Sequence, residues 1–77
     1  MREMVRAIKT ATACLDCQQF YHWMVMEFDH RPGEVKLGEI SQMLQWSAAK
    51  VLAEIAKCDL VCANCHRLRT ARRLGHL

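Results

Sequence analysis

The sequence predicts an α+β domain in which a helical segment is inserted between the two strands of a hairpin. Three observations carry that expectation. Two C-x-x-C pairs, Cys14/Cys17 and Cys62/Cys65, flank residues 18–61 and ask to be drawn together. A run of β-formers, His22–Phe28, follows the first pair, and a short extended run, Leu60-Val61, precedes the second. Between them the apolar residues fall at helical spacing.

A chain of 77 residues makes one domain, 1–77. Near this size a metal, disulfides or a partner commonly reinforces the small core. The composition is that of a globular protein, 52% hydrophobic and 25% charged, with one proline and three glycines. No stretch reaches the ~18–20 apolar residues of a membrane span. Met1–Arg6 carries charge with no apolar run behind it, so it does not read as a signal peptide. The expectation is a cytoplasmic protein with no membrane contact. In a reducing compartment the five cysteines read as metal ligands before they read as disulfides.

Residues 1–13 are expected to form an N-terminal helix or arm. Val5 and Ile8 share one side of it, and Arg2, Arg6 and Lys9 another. Cys14-Leu15-Asp16-Cys17 is a tight turn. In the strand over residues 22–28, Met24, Met26 and Phe28 share one face and Trp23, Val25 and Glu27 the other. Tyr21 and Trp23 are expected in the core or on the hairpin face, and His22 and His76 in structural roles. The strand delivers Asp29 and His30, and Arg31-Pro32-Gly33 turns the chain.

Ile40, Met43 and Leu44 then follow helical spacing. Ser47 is an N-cap for a helix over residues 48–58, whose core face carries Val51, Leu52, Ile55 and Cys58. Lys50 and Glu54, four apart, are expected to pair outward. From about Asn64 to Arg73 the chain is helix-compatible and stops before Gly75. His66 opens that helix, with Arg69 and Arg73 on roughly the same side.

The cysteine spacing is the strongest chemical signal. A two-residue spacer lets both thiolates of a pair reach one ion, and two pairs complete the tetrahedral four-sulfur shell that zinc prefers. Cys14, Cys17, Cys62 and Cys65 are therefore expected to hold a structural Zn2+, whose binding supplies much of the folding free energy. Cys62-x-x-Cys65-His66 also fits the attachment string of c-type haem, but that reading needs export and leaves Cys14 and Cys17 unexplained. A thioredoxin-like redox pair would need a βαβ context that is missing. Cys58 reads as a buried small hydrophobe.

The segments "FDHRPGE" (Phe28–Glu34) and "EIAKCDLVCANCHR" (Glu54–Arg67), with Cys14-x-x-Cys17 ahead of them and Arg69-Thr70 behind, carry a family likeness. The chain resembles the small, often phage-borne HNH nucleases of the treble-clef, ββα-metal class, over most of its length. The resemblance implies that His30 is the general base. It further implies that Asp29 and His66 bind one catalytic divalent ion, Mg2+ or Mn2+, apart from the structural zinc. One position departs from the pattern: Lys57 or Cys58 stands where the family carries its middle asparagine.

These residue types suit hydrolysis of a phosphodiester. Histidine's ordinary pKa of ~6.5 lets a neutral imidazole take a proton near pH 7. A hard ion held by a carboxylate and an imidazole can polarise a phosphate. The net charge is +3, and from Cys62 to Leu77 there are four arginines and no acid, a pattern that favours a polyanionic partner. Arg31, Arg67, Arg69 and Arg73 are expected to contact the DNA backbone. The expected function is therefore that of a metal-dependent endonuclease on double-stranded DNA with little sequence specificity, acting as a monomer or homodimer. Phage packaging or other DNA-processing proteins are partners the resemblance implies. The alternative is a non-catalytic zinc module that binds DNA or a protein through its basic C-terminal helix.

Overall fold

The computed structural model describes all 77 residues, Met1–Leu77. In chain order come helix α1 (Arg2–Ala11), strand β1 (Met26–His30), helix α2 (Ala48–Ile55), strand β2 (Cys58–Cys62) and helix α3 (Ala63–Arg73). Single turns of 3-10 helix lie at Trp23–Val25 and Ile40–Gln42. β1 and β2 pair antiparallel, with Met26 opposite Cys62 and His30 opposite Cys58. The α+β class and the helical insertion between two paired strands are as the sequence predicts. No helix is long and apolar enough to cross a membrane.

Local chemistry sets most element ends. Ser47 Oγ accepts from the Lys50 N–H and caps α2. Pro32 and Gly33 occupy the centre of a turn closed by the Glu34 N–H on the Arg31 carbonyl, and Gly33 takes φ +90° there, as the third position of a type II turn requires. α3 ends in Gly75 at φ +76°; the Gly75 N–H reaches the Arg72 carbonyl and the His76 N–H the Ala71 carbonyl. That pair of bonds is a Schellman stop, which glycine accommodates without strain.

Three sequence expectations need correction. The first strand starts at Met26, not His22. His22 Nδ1 accepts from the Met24 N–H at 3.1 Å and curls residues 23–25 into a turn. β2 ends opposite Met26, so nothing pairs with the earlier residues, and Met24 is 71% exposed instead of sharing a buried face with Met26. Second, α2 stops at Ile55, because Cys58 leaves the helix to pair with His30. The Arg31 guanidinium donates to the carbonyls of Ala56 and Cys58 and satisfies the helix end. Third, the faces of α2 differ from the expectation: Leu52 is exposed and Glu54 is fully buried.

The core falls into two small clusters. Val5, Ile40, Met43 and Val51 bring α1, the inserted segment and α2 together. Cys14, Met26, Val61 and Cys62 form the other, between the first cysteine turn and the hairpin. Only 10 of 77 residues are buried, and two of these are cysteines of the C-x-x-C pairs. A core this small is of the kind that a metal at the cysteines would reinforce.

Candidate functional site

The four cysteines are brought together by backbone bonds before any ion is considered. The Gln18 N–H reaches the Cys14 carbonyl and the Cys14 N–H the Gln19 carbonyl, closing the first turn, with Gln18 at φ +64°. The Leu15 N–H reaches the Leu60 carbonyl and ties that turn to β2. The second pair spans the junction of β2 and α3, where Cys62 Sγ caps the helix by accepting from the Cys65 N–H.

The ligand atoms of Cys14, Cys17, Cys62 and Cys65 all lie within 4.8 Å of one another. Tetrahedral coordination with bonds of ~2.3 Å puts sulfurs ~3.8 Å apart, so closure asks for about 1 Å at most. The cluster can hold a metal ion such as zinc. Burial pushes the Cys14 thiol up, but N–H bonds from Cys17, Cys62 and Asp16 outweigh it and bring it down to about 6. A thiol of that kind gives up its proton to a metal readily. Cys58 stands outside the cluster, with its thiol against the Glu54 carbonyl.

Asp29 and His30 end β1, and strand alternation sends them to opposite faces. His30 faces α2, where its Nε2 lies 2.8 Å from Glu54 Oε2. Glu54 is only 1% exposed. The Lys57 ammonium holds its carboxyl down at about 2, against burial, together with His30 and the Leu37 N–H. An ionised carboxylate accepts only, so His30 Nε2 carries a hydrogen, and in the neutral ring the lone pair is then on Nδ1. His30 Nδ1 has no protein partner, and no buried polar side-chain atom is left unsatisfied, so Nδ1 reaches solvent. Sequence reasoning missed Glu54 because its spacing from Lys50 suggested an outward pair; its place three residues after buried Val51 was the available clue.

On the α3 face, His66 and Asp29 are brought together. His66 Nδ1 lies 2.6 Å from Glu27 Oε1, and Nε2 lies 3.5 Å from Asp29 Oδ1. In the neutral ring, a hydrogen on Nδ1 toward Glu27 leaves the Nε2 lone pair facing Asp29 Oδ1, whereas an imidazolium bridges the two carboxylates. Ligands on an ion with bonds of ~2.1 Å stand ~3.0 Å apart when adjacent and ~4.2 Å when opposite. The 3.5 Å between the two atoms lies between those separations, but both Asp29 oxygens already accept from arginines. Glu27, two residues before Asp29 on the same strand face, was also missed by sequence reasoning, although that alternation would have found it.

Asp29 is 4% exposed and saturated by arginines. Arg73 donates to both of its oxygens at 2.8 and 2.7 Å, and Arg69 to Oδ2 at 3.0 Å. Arg73 chiefly, against burial, holds the Asp29 carboxyl down at about 2. Arg69 also bridges to Asp16 and Asp59. Arg31 is bound to the α2 end and to Asp59. Of the four arginines expected on DNA, Arg31, Arg69 and Arg73 thus already serve intrachain partners, and Arg67 alone is exposed without one.

Lys57 stands beside this site, at the end of α2. Its Nζ donates to the Val35 carbonyl at 2.7 Å and to Glu54 at 2.9 Å, while its own carbonyl accepts from the Arg31 N–H. The loop after His30 is thereby fastened to the end of α2. Comparison with family models, curated proteins and solved structures finds no match to this chain.

Proposed function

We propose that the protein is a metal-dependent phosphodiesterase of the HNH type, with a zinc-stapled treble-clef, ββα-metal fold. The observation that carries this reading is the His30–Glu54 dyad at the end of β1. A buried carboxylate fixes the tautomer and orientation of the ring, and leaves an outward Nδ1 lone pair free to take a proton.

His30 Nδ1 accepts the proton of a water molecule as its oxygen adds to phosphorus, and Glu54 stabilises the imidazolium so formed. The bond from phosphorus to the leaving sugar oxygen then breaks. Asp29 Oδ1 and His66 Nε2 would hold the divalent ion, Mg2+ or Mn2+, with Glu27 orienting His66. Such an ion, when bound, neutralises charge on the phosphate and on the leaving oxygen. Arg67 and the solvent edge of Arg73 supply positive charge for the DNA backbone. Zn2+ on the four cysteines keeps the first turn, the hairpin and α3 in register.

One observation favours the second reading, a zinc module that binds DNA or protein through α3 without catalysis. Arg69 and Arg73 saturate Asp29, and an ion must share that carboxylate with them. Supercoiled plasmid separates the two readings. Wild type with Mn2+ or Mg2+ is expected to nick it, and His30→Ala, with zinc retained, is not. A zinc-loaded wild type that binds DNA but cleaves neither plasmid nor single-stranded DNA would leave the binding module.

A further inference from the structure

Between α1 and β1 runs a groove of about 390 Å3 whose walls include Arg2, Arg6, Lys9, Trp23, Phe28 and His66. Arg2, Arg6 and Lys9 are spaced so that one side of α1 presents all three. None of them forms an ion pair. The two acids on the groove are committed elsewhere, Glu39 to Lys36 and Glu27 to His66. Three uncompensated cations therefore face one cavity in a chain that pairs most of its other charges.

The cations are also interleaved with aromatic rings. The Arg6 guanidinium lies 4.1 Å from the centre of the Trp23 ring, and Lys9 Nζ 5.3 Å from that of Phe28. Burial lowers the Lys9 pKa, with Glu27 acting back on it only from a distance. An anion placed here would offset that lost solvation. Glu27 and His66 line a second groove too, which continues along α3 past Arg67 and Thr70. The two grooves meet at His66, with positive charge on either side of it.

We propose that the groove between α1 and β1 seats an unpaired nucleotide of a single-stranded polynucleotide, and that the strand passes His66 into the groove along α3. The inference rests on the reading of His66 as part of a phosphodiesterase site and names the substrate form that site accepts. A positively charged groove with aromatic and guanidinium planes is how single strands are held, because every base offers a π-face. The volume suits one nucleotide and not a duplex. Arg2, Arg6 and Lys9 take the phosphates, and the Arg6–Trp23 stack takes the base.

Trp23 makes the test direct. Trp46→Phe removes the other tryptophan, which lies outside both grooves. The zinc-loaded Trp46→Phe protein, residues 1–77, is titrated, without further divalent ions, with a short oligothymidylate, the corresponding oligouridylate and a blunt duplex of the same length. Both single strands are expected to quench Trp23 and to bind more tightly than the duplex. Arg6→Ala and Lys9→Ala, placed in that background, are each expected to weaken binding about fivefold or more. Each should also lower the slope of log K on log salt by ~0.7 for every phosphate that the variant no longer neutralises. Unquenched Trp23, affinity unchanged in both variants, or a duplex bound as tightly as a single strand would overturn the proposal. The readout needs no cleavage, so quenching without Mn2+-dependent cleavage of single-stranded DNA or plasmid would sink the nuclease reading and leave the groove, whereas cleavage without quenching would do the reverse.

Discussion

His30 Nε2 and Glu54 Oε2, 24 residues apart in the chain, meet at 2.8 Å with the carboxylate fully buried. The pair joins the last residue of β1 to α2 and sets the direction of the imidazole lone pair. Glu54→Gln keeps a hydrogen-bonding group of the same size but removes the charge that stabilises the imidazolium. Nicking by Glu54→Gln is expected to fall about 10- to 100-fold with zinc content unchanged, the usual effect of losing an orienting carboxylate. Plasmid assays beside zinc titration measure both.

The same carboxylate makes a pH prediction. The Glu54 pKa is depressed from its ordinary 4.5 to about 2 in the folded chain. Its contribution to stability is thus fully present above pH 4.5 and is lost as pH falls toward 2. Glu54→Gln cannot titrate. The stability difference between wild type and Glu54→Gln, from urea midpoints, should shrink as pH falls from about 4.5 toward 2. A difference that held constant or grew across that range would contradict the assignment.

The cysteines divide four to one. Cys14→Ser and Cys62→Ser, both at buried positions of the cluster, are expected to abolish tight zinc binding and with it the cooperative fold. Structural zinc sites contribute about 10–16 kcal/mol of apparent binding free energy, more than a chain of this size has to spare. Cys58→Ser should retain about one zinc per chain. Zinc release measured with a colorimetric chelator, alongside circular dichroism, separates the two classes.

Arg69 carries more structure than its place in a basic run suggests. It serves Asp16, Asp29 and Asp59 and is 16% exposed in its side chain. Arg69→Ala leaves Asp29 partly uncompensated and should cost about 3 kcal/mol. Arg73→Ala, at a more exposed position, should cost about 1 kcal/mol and should raise Mn2+ affinity by freeing Asp29 Oδ1, while Oδ2 stays with Arg69. Thermal unfolding and Mn2+ titration of the two variants test both statements.

What was legible in the sequence was what depends on short spacing. The C-x-x-C pairs, the Ser47 cap, the Pro32-Gly33 turn and the start of α3 all follow from residues within a few positions of one another, and the structure contains each. The insertion between paired strands follows once the two cysteine pairs are required to meet. What was not legible depends on contacts across the fold. Arg69 finds Asp16 from 53 residues away and Asp29 from 40, and no periodicity announces such partners. Glu54 was hidden for the same reason: its burial makes sense only when His30, Lys57 and the Leu37 N–H converge on it. The first strand is shorter than its composition suggests because β-formers mark a tendency, while β2 sets how much of it is paired.

The most direct measurement is plasmid nicking by His30→Ala with Mn2+, with and without added imidazole, beside wild type. With His30 as general base, the variant should be inactive, retain zinc and DNA binding, and recover part of its activity as free imidazole fills the vacated position. Nicking by His30→Ala at the wild-type rate would contradict the central role given to the His30–Glu54 dyad.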